Sequence, residues 1–447
     1  MKYREMTITW TAVAAGAILA AVAYVGLNSF DGEPPDLSKF THPFEAPAEA
    51  DNVYCGLVAV TNLISGESGL PVLTDVATKH DQALRNFTNP AKEITAGEKD
   101  AILAESGKVL SAFHEAVQRK TWCGCDPSKE GCPLFPAVSE FVNLCRLAHL
   151  QALRHLERGE TGAAIEGARD MILLARKVEH DAESAVRWLV TGIALNNADA
   201  VALQIIRSGK ATDEELGRLQ EVLSQFDLAS RPERADRMLN NEFTLHFMRN
   251  FDKAMIDKRI PLLSAYAYHR NRTWTTYARF LEKVKEGYRS GGYDKVFWET
   301  LDKEISAAID QSKGWRFGPN CVGRKILGVA LPAWRSIYES IIKSSFQHSA
   351  VETVVAAARF KRKTGAFPKR LAELAPEFLP SVPRDPFTRD AEMRYDPARG
   401  ILWTVGKDGT FNGEPVKPNA NGKYGVYGKY GKENRNCVFN IDGSPAN

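Results

Sequence analysis

Few of the patterns that announce an enzyme occur in this sequence. There is no His-Glu-x-x-His zinc helix and no Gly-x-Ser-x-Gly nucleophile elbow. No glycine-rich loop opens a helix to cradle a phosphate, and the cysteines never take Cys-x-x-Cys spacing. An excess of one charge is missing too. The net charge is only +3 over 447 residues. No global basic field therefore points to nucleic acid, and no nucleic-acid partner is expected. The run Arg359, Lys361, Arg362, Lys363 is basic but short, and it suits the last turn of a helix, where cations complement the dipole. Disorder is excluded as well, because 44% apolar and 25% charged residues is the composition of a folded chain. The length points to two or three domains.

What is present begins at the N-terminus. Lys2 and Arg4 precede an uncharged stretch from Thr7 to Leu27, which matches the roughly 20 residues needed to span a bilayer. Basic residues ahead of the span favour a cytoplasmic N-terminus. The expected placement is the bacterial inner membrane, with one pass and the bulk of the chain outside the cytoplasm. A cleaved signal peptide is the rival, with Ala21-Val22-Ala23 as its small-residue site. Apolar sequence running on through Val25 and Leu27 favours the uncleaved anchor. Asn28 to Ala50, with Pro34, Pro35, Pro43 and Pro47, has the composition of a semi-extended tether.

From about residue 51 the periodicity is helical. Val138, Phe141, Cys145, Ala148 and Ala152 form one stripe, broken at Arg158-Gly159-Glu160. Ala164, Ala168, Met171, Ala175 and Val178 form the next, with small residues that let two helices approach closely. Ala185, Leu189, Ile193, Ala200 and Leu203 mark a third helix, ending at Ser208-Gly209. Thr212 with Glu215 reads as a capping box ahead of Leu216, Leu219, Leu223 and Phe226. Ser230 with Glu233 and Ser349 with Glu352 repeat that signature, and Gly365 is placed to end the last helix. Short connections imply antiparallel hairpins, hence an irregular α-solenoid or bundle. The aromatic-rich stretch from Tyr266 to Trp334 fits core packing better than an open groove.

After Gly365 prolines punctuate short elements. Met393 to Tyr395, Ile401 to Val405 and Cys437 to Ile441 read as strands, with a Gly-, Asn- and Lys-rich loop between the last two. The chain therefore divides into an anchor over 1–27, a tether over 28–50, a helical domain over 51–348 and a small α+β module over 349–447. The fold class is mainly α.

Thr364-Gly365-Ala366-Phe367-Pro368, Arg384-Asp385-Pro386-Phe387, Arg394-Tyr395 and Thr404-Val405-Gly406-Lys407-Asp408-Gly409 follow one another in an order that resembles the C-terminal domain of the type II secretion major, or G-type, pseudopilins. The resemblance spans roughly 95 residues, a size compatible with a small module. It implies a calcium site, with Asp408 matching the family's loop aspartate, Asn436 standing where the family closes with aspartate, and Asn412 and Glu414 nearby. Calcium takes six to eight oxygens, so the lost carboxylate at Asn436 lowers the charge of that site. The N-terminus departs from the family. Glu5-Met6-Thr7-Ile8 lacks the processing glycine and Trp10 occupies the glutamate position, so polymerisation as a pilin is not expected. The whole layout is also similar to that of uncharacterised bacterial envelope proteins, a likeness that carries no function.

Seven cysteines occur, an odd number that leaves one thiol unpaired within the chain. Cys123, Cys125 and Cys132, with Cys145 nearby, are the disulfide candidates expected in an oxidising compartment. The same thiols with Cys145 or His149 could instead hold zinc, although the usual ligand spacing is absent. Histidines are scattered, and His114-Glu115 and His180-Asp181 read as solvated neighbours. Two functions remain. One is a tethered interaction or scaffold protein with an envelope partner, associated with a secretion or pilus-like system. The other is a hydrolase-like envelope enzyme built from distant helical residues. A deep pocket holding His and carboxylates would favour the enzyme, and a shallow face with an apolar patch would favour binding.

Overall fold

Local chemistry sets the helix ends. The structure, a computed structural model, describes residues 33, 47–65, 80, 82–84, 87, 94–121, 138–180, 185–226, 266–309, 319–388, 391–406, 409 and 438–444. After α1 (Val53–Ser65), α2 (Ala96–Val117) opens on a reciprocal capping box. Thr95 Oγ1 accepts the Glu98 N–H at 3.2 Å, and the Glu98 carboxylate accepts the Thr95 N–H at 2.7 Å. Helices α3 (Val138–Glu157) and α4 (Thr161–His180) are joined through Gly159 at φ +81°. Gly209 at φ +64° follows the end of α5 (Ala185–Ser208). The expected Thr212–Glu215 box then starts α6 (Asp213–Ser224).

Two compact units divide the chain: Met1–His42 with Asn240–Gly287 and Val296–Ser336, and Pro43–Leu239 with Tyr288–Lys295 and Ile337–Asn447. In the first, α7 (Arg270–Arg289), α8 (Lys295–Ile309) and the opening turns of α9 (Cys321–Thr364) bury Trp274, Tyr277, Phe280, Trp298 and Trp334. The Trp334 indole N–H donates to the Tyr277 hydroxyl at 3.2 Å. Gly287 permits this packing, because a Cβ there would sit 2.6 Å from the Phe297 ring. These aromatics are core.

In the second unit α3, α4 and α5 pack on one another, with α2 and α6 against them. Gly167 on α4 lies against Ala152 on α3, where an added Cβ would come within 3.1 Å of the Ala152 Cβ. The third stripe is wider than the sequence period suggested. Val190, Thr191, Leu195, Ala198, Asp199, Ala202 and Ile205 are buried alongside Ala200 and Leu203, whereas Ile193 is only half-buried. A helix covered on several sides has no polar face to betray its period.

One expectation fails. Ser349 does not cap a helix, because α9 runs unbroken from Cys321 to Thr364 and the Ser349 carbonyl accepts the Thr353 hydroxyl at 2.6 Å. The helix passes through Pro332, which removes one ladder hydrogen bond. It is sustained by Leu327, Leu331, Trp334, Tyr338, Ile342 and Phe346, buried at helical spacing. Gly365 at φ +85° ends it as expected, with its N–H on the Lys361 carbonyl at 2.7 Å.

The tail adds an antiparallel sheet in the order β1 (Arg394–Asp396), β2 (Ile401–Trp403), β3 (Val438–Asn440). Tyr395 faces Leu402 and Leu402 faces Phe439, and Phe439 lies 5.9 Å from the Phe346 ring of α9. The apolar side chains of the tail thus join the helical core of the second unit. The structure is mainly helical with one small sheet. Among the described residues no helix is long and apolar enough to cross a membrane, and the segment 7–27 lies outside them.

Candidate functional site

Where α5 ends, α6 begins and α9 ends, the second unit has a groove of about 350 Å³. Ile205, Ile206, Leu216, Ala358 and Phe367 line it with apolar surface, while Lys361, Arg362 and Asp442 supply its charges. Helix ends build it. Termination at Gly365 turns the chain so that Phe367 comes back beneath the Lys361 ammonium, 4.4 Å from the ring centre. The tail loop closes against α5, with Gly443 at φ +75° packed on Ile206 and its carbonyl accepting the Arg207 guanidinium. The Asp442 carboxylate accepts the Ser444 N–H at 2.9 Å.

The motif residues of the tail meet in one structural knot. The fully buried Asp385 accepts the Phe387 N–H at 3.0 Å and the Thr404 hydroxyl at 2.6 Å through Oδ1. Its Oδ2 accepts the Val405 N–H at 2.8 Å. The Tyr395 hydroxyl donates to the Pro368 carbonyl at 2.8 Å. The Asp-Pro-Phe turn, the Gly-x-x-Pro helix end and the strand ends are thereby fastened to each other.

Polar groups are also buried among the helices. His348 of α9 places Nδ1 2.8 Å from Asp199 Oδ1 of α5 and Nε2 3.0 Å from the Leu223 carbonyl of α6. Burial opposes its charge, but Asp199, Glu352 and the Leu223 carbonyl outweigh that and raise its pKa to about 9. His149 is equally buried and meets the neutral Asn197 at 2.9 Å, with Phe87 edge-on to its ring. Burial pushes its pKa down to about 4. His114 and Glu115 are both exposed, as expected, but His114 also reaches a neighbouring helix. Its Nδ1 lies 2.7 Å from Asp170, whose other oxygen accepts Gln118 at 3.1 Å, tying α2 to α4. Burial raises the Asp170 carboxyl against the pull of His114. Lys177 donates to the Val117 carbonyl at 2.6 Å and to that of Arg119, satisfying the end of α2.

The expected calcium ligands Asp408, Asn412, Glu414 and Asn436 lie outside the described residues, as do Cys123, Cys125 and Cys132. Cys145 is a free thiol in the core, its pKa raised by burial. Among the described residues no three His, Cys, Asp or Glu side chains are grouped to hold a metal. The groove and the His348–Asp199 pair escaped sequence reasoning, since each joins residues far apart in the chain. No family model, curated protein or solved structure matches this chain.

Proposed function

We propose that this chain is a single-pass bacterial envelope protein that works by binding. Residues 7–27 hold it in the inner membrane, 28–50 tether it, and the helical body offers its groove to an envelope protein partner. The tail resembles a G-type pseudopilin domain, with calcium at Asp408, Asn412, Glu414 and Asn436. That likeness suggests a place beside a secretion or pilus-like system. The observation that carries the binding reading is the groove itself, an apolar trench with charges at its rim. Such a surface recognises apolar side chains and fixes their orientation. The buried His–Asp pair, by contrast, is consumed by packing contacts on both ring nitrogens.

A photo-crosslinking side chain in place of Arg362, introduced in living cells, tests this reading. A discrete adduct is expected there, and none from the exposed Lys108 on α2. Equal labelling at both positions, or none at Arg362, would end the binding reading. Carbonate washing tests the anchor separately, since the full chain should stay in the membrane pellet.

A further inference from the structure

We propose that the junction of α5, α6 and α9 is a protonation latch, in which His348 is held as an imidazolium and loss of its proton releases the C-terminal end of α6. The geometry requires the charge. Nδ1 faces the Asp199 carboxylate at 2.8 Å and Nε2 faces the Leu223 carbonyl at 3.0 Å. The Leu223 carbonyl only accepts, as does Asp199 when ionised, so against that carboxylate both ring nitrogens must donate, which a neutral imidazole cannot do. His348 and Asp199 side chains are 3% and 2% exposed.

The groups facing the ring come from all three elements. Asp199 is on α5, and Glu352 lies one turn further along α9 itself. α6 contributes the Leu223 carbonyl, which also accepts the Phe226 N–H at 3.1 Å, and the Phe226 ring meets the imidazole edge at 5.7 Å. That carbonyl contact joins the last turn of α6 to α9, beside the hydrogen bond from Arg359 to Gln220 at 2.8 Å one turn earlier. Deprotonation would turn a ring lone pair toward either the carbonyl or the carboxylate, acceptor against acceptor in a buried core. It would also leave Asp199 as a buried charge without the imidazolium as counter-ion, and its Oδ2 already has no hydrogen-bond partner among the described residues. The cheapest relief is to open the shortest element. At 12 residues, α6 is far shorter than the 24-residue α5 or the 44-residue α9.

The test uses the full-length protein and two readouts. With nitrogen-15 in the histidine rings, both His348 nitrogens are expected to show imidazolium shifts at pH 7.5. A neutral, singly protonated ring at that pH would overturn the proposal. Hydrogen exchange, corrected for its intrinsic pH dependence, should rise at least tenfold across residues 219–226 between pH 7.5 and pH 9.5. An unchanged rate there, with an imidazolium present, would overturn the release step. Asp199→Asn should move that rise downward by two or more pH units. If this variant does not fold, the two wild-type measurements still decide the matter.

Discussion

Replacing Asp385 with asparagine isolates one atom of the tail. Asp385 is fully buried and accepts three hydrogen bonds, two on Oδ1 from the Phe387 N–H and the Thr404 hydroxyl and one on Oδ2 from the Val405 N–H. Asparagine retains the Oδ1 acceptor but presents an NH₂ group where Oδ2 accepted, so the Val405 N–H faces a second donor. A buried donor left unsatisfied costs about 1–3 kcal/mol, and charge-assisted bonds reduced to neutral ones lose about 1 kcal/mol more. The relief of no longer burying a charge offsets part of this. Asp385→Asn should therefore destabilise the second unit by about 2–3 kcal/mol, and Asp385→Ala by more. Urea unfolding followed by near-ultraviolet circular dichroism measures the loss. Asp442→Asn is the control, because it alters a similar Asx-type bond at an exposed position and should cost under about 1 kcal/mol. A loss below about 0.5 kcal/mol for Asp385→Asn would show that the three bonds do not fasten the tail.

Gly167→Leu forces a side chain against Ala152 and should cost about 1–3 kcal/mol by overpacking, read as a lowered urea midpoint. His149 is neutral in the fold with its pKa near 4, below the ordinary 6.5. Its contribution is full above pH 6.5 and is lost as pH falls toward 4, by about 3 kcal/mol in all, so His149→Phe should flatten stability across that window. Millimolar calcium should raise the melting temperature of the full-length protein, and Asp408→Ala should abolish the rise. Calorimetry with no calcium binding would leave the tail a structural module.

The sequence by itself determined the local features. Thr212 with Glu215 made a helix start, and Gly159, Gly209 and Gly365 made stops, because each acts through its own backbone within a turn. The three short strands were legible as brief apolar runs between prolines and Gly-rich turns. The Thr95–Glu98 box carried the same signature and could have been found the same way. Tertiary structure alone decided the rest. Whether Ser349 begins a helix depends on apolar residues up to 22 positions earlier that keep α9 helical through Pro332, an energy that no local cap records. The breadth of the buried face of α5 depends on how many neighbours surround it. His348 gains its meaning from Asp199 and Leu223, and Asp385 from Thr404 and Val405, partners that chain proximity does not announce. A titratable side chain is read by its environment, and only the assembled fold supplies the burial and the opposing charge that set its protonation.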